Sequence, residues 1–86
     1  MENIEEEFEK SLDRMRRKSI FTSSDDLLLL YGLYKQITEG NCITPPPWHI
    51  QELAYARWNA WHANWDMPRQ IAMEKYIEKV NEIMKS

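Results

Sequence analysis

The sequence predicts an all-α protein, a four-helix bundle of up-down-down-up order with a long crossover loop between its second and third helices. Three observations carry this. Four segments repeat apolar residues at a spacing near 3.6. No segment alternates with period two over a useful length. The gaps between the four segments run short, long, short.

The first segment spans about Asn3 to Lys18, with Ile4, Phe8, Leu12 and Met15 in one stripe. Glu2, Glu5, Glu6, Glu7 and Glu9 crowd its start, and Arg14, Arg16, Arg17 and Lys18 follow at its end. Acid first and base last complements a helix dipole, each charge contributing a few tenths of a kcal/mol. The second segment runs from about Ser24 to Glu39, placing Leu27, Leu30, Tyr34 and Ile37 on one face with Leu28, Tyr31 and Lys35 beside it. Ser23 and Asp26 stand at capping-box spacing before it, and Gly40-Asn41 ends it. The third covers about Gln51 to Trp65 and sets Trp58, Trp61 and Trp65 at i, i+3 and i+7, a stripe read by default as core. The fourth opens at Pro68, suited to a first helical turn, and continues through Met73, Tyr76, Ile77, Val80 and Met84.

Connection lengths set the directions. Ser19 to Ser23 and Asp66 to Met67 are short, so the helices they join should run antiparallel. The stretch from Gly40 to Ile50 can reach roughly 35 Å when extended, whereas a sixteen-residue helix is about 24 Å long. That loop can travel the whole second helix and let the third point the same way. Pro45, Pro46 and Pro47 stiffen it.

Composition excludes several classes. A chain of 86 residues, 43% hydrophobic and 29% charged, suits one globular domain, expected over residues 1–86. The longest notable apolar run, Leu27 to Tyr31, is far short of a membrane span, so no stable membrane insertion is expected. The start, Met1-Glu2-Asn3-Ile4-Glu5-Glu6-Glu7, is acidic and resembles no secretory signal. A single cysteine, Cys42, gives no disulfide framework and suits a reducing compartment, with the cytoplasm the simplest address. A net charge of −3 argues against a nucleic-acid binder. No pair among Cys42, His49 and His62 has metal-ligand spacing, and no cofactor is expected. Cys42 and His49 share the crossover loop but lack a third orienting group, so they read as exposed loop residues and catalysis is not expected.

Tyr31, Tyr34 and Lys35 stand at i, i+3 and i+4 and share a helix face. One reading makes Tyr31 a partly buried rim residue and Lys35 a solvated charge. The other makes them a site for a flat, phosphorylated ligand, with rings to stack a base and an ammonium to neutralise phosphate. Spacing leaves both open.

At these residues the chain resembles the acyl-CoA-binding protein family. The run from Leu30 to Gly40 is similar to that family's YxxYKQAT-G signature, Ala56 to Trp61 resembles its AKWDAW element, and Ala72 to Val80 resembles its AMxxYIxxV pattern. Phe8 and the spacing of Thr44 and Pro47 fit as well. The resemblance implies a non-catalytic carrier of medium- to long-chain fatty acyl-CoA esters, monomeric, with acyl-CoA-using enzymes as candidate partners. It implies that Tyr31 and Lys35 meet the adenine and ribose 3′-phosphate, that Arg57 and Tyr76 join them with Tyr34 on the same face, and that Arg16 lies near the phosphates. Leu27 and Leu28 fall at chain-contacting positions, and Trp58 falls beside the ligand. Departures are Leu53 and Tyr55 where the family usually carries lysines, Trp48 where a glycine is common, the triple proline, and Arg57 for lysine, which turns a point charge into a planar fork. Trp48 is read either as a lid over the alkyl tail or as an anchor of the loop. Two other classes remain open: a helical interaction module using Trp48, Trp58, Trp61 and Trp65, and a small enzyme built on Cys42 and His49.

Overall fold

The first two helices begin where a side chain accepts from one of their first amides. In the computed structural model, which describes residues 3–18 and 21–85, the Asn3 side chain accepts from the Glu6 amide at 2.9 Å and opens α1, Ile4–Lys18. Ser23 accepts from the Asp26 amide at 3.2 Å and opens α2, Ser24–Glu39. Gly40, at φ 80°, turns the chain out of α2 while its amide donates to Gln36 O at 3.1 Å, a conformation that glycine adopts without a Cβ penalty. The Pro68 carbonyl accepts from Ala72 at 2.9 Å, one residue before α4, Arg69–Lys85. Ser19 and Ile20, within the predicted short connection, lie outside the described residues, as does Glu2.

The third helix is shorter than its apolar pattern predicts. α3 covers Glu52–His62, and the chain then tightens, with Asn64 N–H donating to Trp61 O and Trp65 N–H to His62 O. The Asn64 amide bonds back to Ala60 O at 3.2 Å, and Asp66 adopts φ 64°. Local side-chain bonding of this kind competes with helix continuation. Trp65 consequently leaves the stripe and is 48% exposed, while Trp61 is buried.

Cross-helix contacts give the topology directly. Glu5 pairs with Arg69 near the starts of α1 and α4, and Lys18 Nζ donates to Ile83 O near their ends, so these two run parallel. Asp26 meets Lys79 at 2.9 Å and Arg69 Nε donates to Ile37 O at 3.2 Å, so α2 is antiparallel to α4. Along the α2–α3 seam, Tyr31, Gly32 and Lys35 face Arg57, Ala60 and Trp61 in the same order, so these run parallel. The result is up-down-down-up, as the loop lengths predict.

The core is formed by α1, α2 and α4. It contains Phe8 and Met15, Leu30, Leu33 and Ile37, and Ala72, Met73, Tyr76, Val80 and Ile83, with Ile4 and Leu12 packed at its margin. The predicted face of α2 needs correction: Tyr34 is 41% exposed and Leu27 is exposed, whereas Leu33 and Gln36 are buried. Four consecutive leucines put a leucine on every face, and α2 packs against both α3 and α4, so the run itself could not identify the buried side. The Cα atoms span 43 × 28 × 15 Å, a flattened bundle in which α4 lies against α1 and α2, and α3 packs chiefly on α2. Among the described residues no helix is long and apolar enough to cross a membrane.

Candidate functional site

The α2–α3 seam owes its closeness to Gly32. A Cβ at this position would stand 2.5 Å from the carbonyl carbon of Ala60 and 3.0 Å from the Trp61 nitrogen, so any side chain would force the helices apart. A glycine inside a helix costs about 1 kcal/mol relative to alanine, and here it permits an approach that no other residue allows. The crossover loop is then fastened along the seam by two indoles. Trp61 Nε1 donates to Gly40 O at 2.8 Å, and Trp58 Nε1 donates to Thr44 O at 2.9 Å. Gln36 and Asp66 both bond to Asn41, tying the end of α2 and the α3–α4 turn to the start of the loop.

These bonds shape an open cavity lined by Tyr31, Thr44, Pro45, Pro47, Arg57, Trp58 and Trp61. The Arg57 guanidinium carbon lies 5.8 Å from the centroid of the Tyr31 ring, and Lys35 Nζ lies 4.7 Å from a Trp61 ring centroid. Lys35 is not the freely solvated charge that one reading of the spacing gives. Its side chain is 22% exposed and its ammonium donates to Glu39, which holds it above the usual lysine value, with smaller contributions from Tyr31 and Cys42. Arg57 has no carboxylate partner among the described residues. The Tyr31 phenol, the Trp58 and Trp61 indoles and the Arg57 guanidinium thus border a single opening, and the Lys35 ammonium lies over the Trp61 ring. Such a surface can stack a planar ring and neutralise an anion attached to it.

The remaining predicted residues divide. Trp58 forms part of an aromatic ladder on α3, stacked on His62 at 4.7 Å and 16° and tilted against Tyr55 at 6.0 Å. Tyr34 of α2 and Tyr76 of α4 gather around Phe8 of α1: Tyr76 meets its ring edge-on at 5.1 Å and Tyr34 approaches at 6.5 Å. Tyr76 is 5% exposed, and burial pushes its phenol up, with Tyr34 adding to the shift. Leu27 and Leu28 occupy the first turns of α2, exposed and half-buried respectively. Arg16 is exposed on α1 and pairs with Asp13 at 3.1 Å, not with any member of the seam. Trp48 is 75% exposed, so it does not anchor the loop to the bundle. Cys42 is a further correction to the exposed-loop reading: it is buried with its sulfur 3.6 Å from Thr44 Oγ1, while His49 is exposed.

Sequence reasoning missed Gly32, Glu39 and the lining role of Trp61. An isolated glycine within a helical pattern is a readable sign of close approach. The meeting of Lys35 with Trp61 crosses two helices and has no counterpart in local spacing.

The fold and the seam can be set beside known proteins. The family model described as Acyl CoA binding protein matches residues 5–80. The chain is 40% identical over 70 residues to the acyl-CoA-binding protein of Dictyostelium discoideum, covering 81% of this chain and 83% of that one. It is 52% identical over 56 residues to acyl-CoA-binding domain-containing protein 4 of Oryza sativa subsp. japonica, covering 65% of this chain but only 17% of that longer protein. Among solved structures, the crystal structure of Oryza sativa acyl-CoA-binding protein 2 superposes with a TM-score of 0.89 at 35% identity, over 96% of this chain and 92% of that one. With three motifs in order, the predicted topology realised and a match across nearly its whole length, this chain belongs to the acyl-CoA-binding protein family.

Proposed function

We propose that the chain is one acyl-CoA-binding domain that holds medium- to long-chain fatty acyl-CoA esters without chemical change, forming and moving a cytoplasmic pool of them. The observation that carries this reading is the α2–α3 seam, where Tyr31, Arg57, Trp58 and Trp61 line one opening and Lys35 lies over the Trp61 ring. Acyl-CoA is an anion with a base at one end and an alkyl tail at the other. Tyr31 and Trp58 offer ring faces to the adenine, Lys35 and Arg57 offer charge to the 3′-phosphate, and Leu27 and Leu28 offer apolar surface to the tail. Each buried methylene adds about 0.8 kcal/mol. In this reading Tyr34, Tyr76 and Arg16 stand at the margin: Tyr76 is largely withdrawn into the core, and Arg16 must leave Asp13 to reach a phosphate. The ligand, a monomeric carrier and delivery to acyl-CoA-using enzymes together make up the proposal.

Titration calorimetry tests it. Myristoyl- or palmitoyl-CoA should bind far more tightly than free CoA or the free fatty acid, because neither half satisfies both parts of the site. Equal affinity for the fatty acid alone would sink the carrier reading in favour of a general lipid binder. The exposure of Trp48 and Trp65 favours a second reading, a protein-interaction module. Native mass spectrometry of gently purified protein separates the two, since a carrier should arrive with acyl-CoA masses attached.

A further inference from the structure

Glu39 is poorly placed for the stability of its own helix. It is the last residue of α2, where unpaired carbonyls already make the potential negative, and it adds a further negative charge there. Its pair with Lys35 sets the cation N-terminal to the anion, the weaker order for an i, i+4 contact. With 52% of the Glu39 side chain exposed, such a pair contributes little to folding. Stability therefore does not account for an acid at this position.

The site does account for it. Lys35 lays its stem and ammonium along the Trp61 face, with its side chain 22% exposed, and the ammonium is held there beside a carboxylate. Glu39 supplies that carboxylate. Arg57, the other cation of the seam, lies over the Tyr31 ring and has no carboxylate partner among the described residues. One cation there thus lacks a carboxylate and the other is already paired with one. We propose that Glu39 is an internal competitor for the Lys35 ammonium, a carboxylate that must surrender or share that cation when a phosphate monoester docks between Lys35 and Arg57. This rests on the acyl-CoA reading of the seam and names a residue that sets its discrimination. A ligand with the phosphate meets both the competition for Lys35 and the repulsion of a second anion. A ligand without it escapes the competition for Lys35 and brings no second anion to that position, although its diphosphate remains. Glu39 lowers the advantage that the phosphate would otherwise confer, and so keeps binding readily reversible.

The test is Glu39→Gln, which keeps the shape and removes the charge, measured by titration calorimetry with myristoyl-CoA and its 3′-dephospho form. Glu39→Gln should bind myristoyl-CoA about three- to tenfold more tightly than the natural chain. The dephospho ligand should change by less than about twofold, within the scatter of a surface substitution. In a Lys35→Ala background the gain should vanish, as coupling through a shared partner requires. Unchanged or weaker binding by Glu39→Gln, an equal gain for both ligands, or a gain that survives Lys35→Ala would each overturn the competitor role while leaving the carrier reading intact. Failure of the natural chain to bind myristoyl-CoA would instead bring down the carrier reading, and the competitor role with it.

Discussion

Lys35 and Trp58 are the two side chains at which the seam can be probed singly. Lys35→Ala removes an ammonium that Glu39 and Trp61 hold in place. A charge-assisted hydrogen bond contributes roughly 1.5–3 kcal/mol, so myristoyl-CoA should bind at least about tenfold more weakly. The dephospho form should lose much less, and a thermal melt should show the fold retained. Equal losses for the two ligands would remove Lys35 from the phosphate. Trp58 is half-buried and its indole N–H is bonded to the loop at Thr44 O. Ligand should therefore alter the tryptophan emission, and Trp58→Phe should abolish most of the change; a response that persists unaltered would assign it to another indole. At this scale the sequence was partly legible. Tyr31 and Lys35 share a face because helical spacing dictates it, but the partners of Lys35 on α3 come from packing, which no local pattern encodes.

Between elements, the decisive contacts are one missing side chain and one ion pair. Gly32→Ala places a methyl group against the Ala60 carbonyl, and overpacking of this kind costs about 1–3 kcal/mol. The expected result is a lower melting temperature together with weaker ligand binding, since the same shift moves Arg57 from Tyr31. A variant that melts and binds like the natural chain would show that α3 has room to move. The Asp26–Lys79 pair ties the start of α2 to α4, and the bond from Lys79 holds the Asp26 carboxyl below its usual value, Ser23 contributing less. A lowered folded-state pKa gives stability that is present above about pH 4, the unfolded value, and is lost as pH falls through the folded one. Asp26→Asn should accordingly lower the melting temperature at neutral pH, and the two melts should converge once the pH has fallen through the folded-state value. Helix existence was legible at this scale because the stripes of α1 and α4 are clean. The end of α3 was not, since Asn64 and Asp66 override an apolar spacing that continues to Trp65.

Across the whole molecule, loop lengths announced the helix directions but not which helices are neighbours. A short connection makes two helices antiparallel without making them pack, and α1 lies against α4 instead of settling along α2. The main core cluster accordingly draws on three helices, while α3 adds the buried Trp61 at its seam with α2. That arrangement has a consequence for motion. An element joined to the rest through one neighbour, a glycine contact and two indole bonds should open on its own, well below the free energy of global unfolding. Amide hydrogens of α3 should exchange with solvent faster than those in the middle of α2 and α4, by a route that denaturant barely affects. A ligand lying across the seam would act as a clasp on this detachable helix. At about a hundred times its dissociation constant it should slow α3 exchange by roughly two orders of magnitude, bringing α3 closer to the protection of the core. Exchange of all four helices as one unit, with or without ligand, would mean that α3 is bound in more firmly than its contacts imply.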